Sequence, residues 1–96
     1  MAVNVEPKER ILIDQVKSII IKTMEETLNE YCKLKGVIAK PREDGSEYEI
    51  QYHFDSKFIY ETINISVDNN KIKDSGFEAR LVQDIKNELE WRGVAI

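Results

Sequence analysis

His53-Phe54-Asp55-Ser56 is the one stretch of the chain in which an imidazole, a carboxylate and a hydroxyl stand within four residues. Nucleophilic or acid–base chemistry would need these groups to converge in space, with the imidazole bonded to both the hydroxyl and the acid. Adjacency in sequence does not bring that about, and these residues close an alternating run, where Asp-Ser reads as a hairpin turn. His53 is also the only histidine, so a hydrolase or a histidine-rich metal site would lack its usual parts. A small enzyme built on His53 with Glu47 and Glu49 ranks last among the functional readings. Cys32, the only cysteine, has no histidine placed to activate it, and reads as a half-buried residue of a helix.

Metal and phosphate chemistry are no better supplied. Asp68-x-Asn70 followed by Asp74-x-Gly76 looks superficially like a calcium loop, but Ile72 occupies the fifth position after Asp68 is counted as the first. The sixth carries no glycine. The four glycines, at 36, 45, 76 and 93, form no phosphate-cradling loop. Asn64-Ile65-Ser66 is a formal glycosylation sequon inside a strand-like run and is set aside. No catalytic, cofactor-binding or metal-binding residue is assigned, and no cofactor is expected.

A chain of 96 residues suits a single domain, 1–96, with one modest core. Acidic side chains outnumber basic ones by 18 to 14, for a net charge of −4. That balance works against nonspecific attraction to nucleic acid or an anionic membrane. One cysteine permits no intrachain disulfide, which suits a reducing compartment. The apolar run nearest the start is broken by Asp14 and Lys17 and makes a poor secretory signal, so a cytoplasmic protein is expected. No run approaches the ~20 apolar residues that cross a bilayer.

The elements follow from caps and periodicity. Pro7, with Glu6 and Glu9 beside it, marks a helix start, and Gly36 after Lys33 and Lys35 marks a stop. The spacing predicts one helix over 7–35, with Ile13, Val16, Ile20, Met24, Leu28 and Tyr31 on the core face. Residues 1–5 are expected to fray. Strands are predicted over 37–40, 47–54 and 59–67. In the second, Tyr48, Ile50, Tyr52 and Phe54 point inward and Glu47, Glu49, Gln51 and His53 outward. In the third, Ile63, Ile65 and Val67 point inward and Thr62, Asn64 and Ser66 outward. Ser75-Gly76-Phe77-Glu78 has capping-box spacing, so a second helix is predicted over 75–92, with Ser75 as a cap whose loss would cost about 1 kcal/mol. Its stripe is Phe77, Leu81, Val82, Ile85 and Leu89, and Gly93 is a left-handed stop with Val94 packing back. The fold class is therefore α+β: a two-layer α-β-β-β-α arrangement in which a three-stranded antiparallel meander carries both helices on one face.

This element order resembles that of double-stranded-RNA-binding domains. The resemblance would imply RNA binding through lysines at the start of the second helix. Here that stretch is Asp74-Ser75-Gly76-Phe77-Glu78, with Lys71, Lys73 and Arg80 around it, and the first helix is longer than the family's. Nucleic-acid binding through those three cations is therefore the alternative reading.

The preferred reading rests on surplus apolar surface. Leu12, Val16 and Ile19 form a seam beside the core stripe, and a 28-residue helix of about 40 Å would overhang strands of about 20 Å. Trp91 lies well off the stripe of its own helix. Leu12, Val16, Ile19 and Trp91 are the candidate partner-binding residues. The function expected is that of a small acidic binding or regulatory protein without catalytic activity, of the bacterial or phage accessory kind. Either the second helix of the same chain covers this seam, or the protein acts through it on a protein partner or as a homodimer, with the first helices pairing about a two-fold axis.

Overall fold

A computed structural model of the chain describes residues 7–54 and 60–96, with side chains from Arg10 onward. Helix α1 spans Pro7–Thr27, strands β1, β2 and β3 span Cys32–Pro41, Gly45–Phe54 and Tyr60–Asp68, and helix α2 spans Phe77–Trp91. A 3-10 turn, Asn69–Lys71, follows β3. The strands form one antiparallel sheet in the order β1-β2-β3. Both helices lie on one face of it, so the expected α+β architecture holds.

Alternation dictates which face is covered. Tyr48, Ile50 and Tyr52 of β2 are buried, and opposite them in register stand Ala39, Val37 and Leu34 of β1 and Ile65, Ile63 and Glu61 of β3. Val16, Ile20, Met24 and Leu28 from α1 and Leu81, Ile85 and Leu89 from α2 close over this face in a single cluster. The spacing of these residues on each helix is the 3.6-residue period that puts them on one stripe. The thinnest dimension of the molecule, 17 Å, is that of one sheet under one layer of helices.

The helices run side by side in the same direction. Their last turns are tied together by the tail of the chain: Leu28 bridges Ala95, the Asn29 amide donates to the Val94 carbonyl at 2.9 Å, and the Ile96 amide donates to the Thr27 carbonyl at 2.8 Å. The stop of α2 is the expected one. Gly93 has φ +74°, its amide bonds the Glu90 carbonyl, and the Val94 amide bonds the Leu89 carbonyl. That pair of bonds is a Schellman closure, and Val94 is buried under it.

The first helix is shorter than expected. It ends at Thr27, not Lys35, and the eight residues assigned to its end turn back and enter the sheet. Asn29 starts the reversal: its side-chain oxygen accepts from the Tyr31 amide at 3.0 Å and its carbonyl accepts from the Cys32 amide at 3.1 Å. Cys32 and Leu34 then alternate with Lys33 and Lys35 as strand residues. A bulge between Leu34 and Gly36 resets the alternation so that Val37 points inward again. Lys35 is the extra residue of the bulge, and Gly36 pairs with Gln51 inside β1 in place of stopping a helix. Cys32 is buried in β1, where a half-buried helix position was expected, and Tyr31 is 66% exposed, off the core face to which it was assigned. Strand β1 is correspondingly longer than the 37–40 expected, and β2 begins at Gly45.

The overhang disappears with this correction. A helix of 21 residues is about 31 Å long. Strands of ten residues, at ~3.3 Å per residue, run about 33 Å. The predicted cap of α2 is also revised. Gly76 is the N-cap, no side chain bonds the exposed amides, and Ser75 stands in the preceding turn. Residues 1–5, expected to fray, and Asp55-Ser56-Lys57, expected to turn, lie with Phe58 and Ile59 outside the described residues.

Candidate protein-binding groove

Where α1 passes the segment that leads into α2, the helix layer does not close. Residues 11–19 of α1 and residues 72–78 leave an open groove of about 680 Å³. Its apolar surface comes from Ile11 and Ile19 on one side, with Val16 buried beneath them, and from Ile72 and Phe77 on the other. Sequence spacing explains the α1 wall. Ile11, Gln15, Ser18 and Ile19 fall near one another at 3.6 residues per turn, beside the stripe that Val16 and Ile20 commit to the core. Ile72 and Phe77 project from either end of the turn in which the Asp74 amide bonds the Lys71 carbonyl and the Phe77 amide bonds the Asp74 carbonyl, both at 3.1 Å. Both residues are half-buried and packed against the core.

The charged side chains that line the groove have one sign. Asp14, Asp74 and Glu78 line it, and among the described residues no lysine or arginine does. Glu78 sits in the first turn of α2, where the helix dipole favours an acid. Arg80 reaches back to Asp74 at 3.5 Å, an exposed and weak pairing. Ile11 is 60% exposed, an unusual placement for an isoleucine beside other apolar side chains.

The four residues singled out from sequence separate. Val16 is fully buried and belongs to the chain's own core, so no partner reaches it in the folded protein. Ile19 is half-buried on the groove wall, and Leu12 is half-buried on the same helix. Trp91 is 85% exposed at the far end of α2, about 20 Å along the helix from Phe77. Ile11, Ile72 and Phe77 were the groove residues that sequence reasoning missed. Ile11 lay outside the stripe, and the other two become neighbours of α1 only through the fold.

The remaining chemistry-bearing residues do not assemble. The His53 ring packs edge-on to Tyr60 on the outer sheet face, 5.5 Å between centroids, and the Lys35 ammonium sits 3.9 Å from the centre of the Tyr60 ring. Elsewhere on that face Arg42 pairs with Glu47, Lys40 lies 3.8 Å from Glu49, and Gln51 donates to Glu49 at 3.1 Å. Glu47 and Glu49 therefore face cations and an amide, with His53 engaged apart from them. Among the described residues no three His, Cys, Asp or Glu side chains converge as metal ligands. Burial pushes the Cys32 thiol up, with the Glu61 carboxylate adding to it. Of the three cations considered for nucleic acid, Arg80 turns to Asp74, while Lys71 and Lys73 are exposed on the turn before α2.

One polar network crosses the covered face. Tyr52 donates to the Glu61 carboxylate, and Arg92 reaches in from the end of α2, its Nη1 3.3 Å from the Tyr52 hydroxyl and 3.5 Å from Glu61. Arg92 also donates through Nη2 to the Thr62 carbonyl at 3.2 Å and through Nε to Glu88 at 2.9 Å. Burial and the bond to Glu61 push the Tyr52 phenol up, with Arg92 opposing. Every polar group in this network is occupied by another, and it reads as a clamp between α2 and the edge strand. Among the described residues no helix is long and apolar enough to cross a membrane.

In comparisons with known proteins, no family model, curated protein or solved structure matches the chain.

Proposed function

We propose that the protein is a binding module without catalytic activity that engages another polypeptide through the groove between α1 and the start of α2. The observation that carries this reading is the groove itself, a concave apolar surface in which Ile11 stays 60% exposed although the chain has a complete core elsewhere. Leaving such a surface in water is unfavourable by roughly 25 cal/mol per Å² of apolar area, and covering it favours association. Phe77 and Ile11 would be the anchors, since buried aromatic and aliphatic anchors in a pocket supply most of the energy of an interface. The seam expected at Leu12 and Ile19 contributes through Ile19, which shares the groove wall, while Val16 supports it from beneath.

Site-specific photocrosslinking in the native cell tests this. A photoreactive amino acid at Gln15, which is exposed and lines the groove, should give a discrete protein adduct. The same group at Asn64, exposed on the outer sheet face, should not. No adduct at position 15, or the same adducts from both positions, would refute the proposal.

A further inference from the structure

The walls of the groove determine what kind of segment fits it. They are side chains of two helices and of the turn between Ile72 and Phe77, and no sheet edge borders them. An extended peptide laid there would find no ladder of backbone donors and acceptors, and its own amides would lose water without replacement. A helix satisfies its backbone internally and offers one apolar face. Along α1 the groove runs from Ile11 to Ile19, about 12 Å, which is a little over two helical turns. Two apolar side chains at i and i+4, about 6 Å apart along one face of the incoming helix, fit within that span.

Charge then decides among possible helices. Asp14 on one side and Asp74 and Glu78 on the other are acidic, and among the described residues only Asp74 is ion-paired, to Arg80. In a two-fold pairing of identical copies, each groove would present these acids to the same acids of its mate, and like charges brought face to face oppose association. A partner carrying lysine or arginine on the flanks of its apolar face meets the opposite situation. Building on the groove reading above, we infer that the occupant is a cationic amphipathic helix of a partner protein, its i, i+4 apolar pair seated against Ile11, Ile19 and Phe77. Its basic side chains face Asp14, Asp74 and Glu78.

A displayed library of random helix-forming peptides, each about four turns long, selected against the full chain tests the inference. Enriched peptides should carry apolar residues at i, i+4 spacing and an excess of lysine and arginine. A synthetic copy of an enriched peptide should lose about tenfold in affinity from low to high salt. It should lose a similar factor on the doubly substituted chain Asp14→Lys, Glu78→Lys, while its Lys→Glu counterpart prefers that chain. Both substitutions fall on exposed side chains, so the fold is retained. Enrichment of neutral or acidic peptides, or equal binding of the Lys and Glu versions, would overturn the inference yet keep the groove. If no selected peptide is released by Ile11→Asp, also an exposed position, the groove reading fails with it. A wild-type dimer that Ile11→Asp converts to monomer would put a second copy in the groove and overturn the cationic helix.

Discussion

Replacing Arg92 with methionine should remove the clamp between α2 and the sheet edge while leaving the packing of the side-chain stem. The guanidinium makes three hydrogen bonds, to Glu88, Thr62 and Tyr52, and lies 3.5 Å from Glu61. Its side chain is 25% exposed, but Glu61 and Glu88 are 37% and 41% exposed. Solvent therefore screens the two ion pairs toward the ~0.2–1 kcal/mol of surface pairs. The bonds to the Thr62 carbonyl and the Tyr52 hydroxyl add on the order of 1 kcal/mol together, because each acceptor gains water or keeps another partner when the arginine goes. The expected loss is about 2 kcal/mol, or on the order of 10 °C in Tm for a domain near 100 residues. Urea denaturation followed by far-UV circular dichroism is the assay, since Trp91 is already 85% exposed and its fluorescence reports unfolding poorly. A double-mutant cycle with Tyr52→Phe should show coupling, because the two side chains share the network. A midpoint for Arg92→Met within about 0.5 kcal/mol of wild type, or strict additivity with Tyr52→Phe, would show the arginine to be a solvated surface residue and refute the clamp.

Gly45→Ala should destabilise by about 3 kcal/mol, the upper end for overpacking, because the new Cβ would stand 2.1 Å from the Val67 carbonyl oxygen across the β2–β3 pair. Gly36→Ala, whose Cβ meets nothing within 4 Å, should stay near neutral or gain a few tenths of a kcal/mol; equal effects from the two in urea would contradict the strand register. Ser75→Ala should leave the midpoint within about 0.5 kcal/mol, because the N-cap is Gly76 and no side chain bonds it. A loss near 1 kcal/mol would restore the capping box read from the sequence. Alkali should unfold the protein. Burial raises the Cys32 thiol above its ordinary 9.0 and the Tyr48 and Tyr52 phenols above their ordinary 10.0. Each group holds its proton longer folded than unfolded, so the stability it contributes is complete below the ordinary value and is lost as pH rises through the folded one. Urea midpoints should be flat up to about pH 9 and fall above it, less steeply in Cys32→Ala; a flat profile to pH 11 would refute the burial argument.

Periodicity in the sequence was enough for the covered sheet face, the α2 stripe and the Gly93 stop. A period of two over Tyr48 to Phe54 and a glycine after Arg92 each admit one local structure with their apolar residues buried. The groove was only partly legible. Ile19 was visible as surplus beside the core stripe, and Ile11 carried no signal because an isolated apolar residue off a stripe is ordinary. Its walls come from residues some sixty positions apart, brought together by the parallel run of α1 and α2, which no local pattern encodes.

The 28–35 stretch shows where local information runs out. Leu28, Tyr31, Cys32 and Leu34 satisfy a helical spacing that continues α1, and Cys32-Lys33-Leu34-Lys35 equally satisfies alternation. Propensity separates the two by only a few tenths of a kcal/mol per residue. What decides is tertiary: as a strand, these residues pair with Tyr52, His53 and Phe54 of β2, and the chain end closes over Leu28 and Asn29. Hydrogen bonds to a neighbouring strand and burial of Cys32 and Leu34 on a sheet that already exists outweigh two more turns of helix in water. The residue types determined that this chain has one amphipathic sheet and two amphipathic helices. The partners available in three dimensions decided where the first helix stops and which of its apolar residues stay exposed.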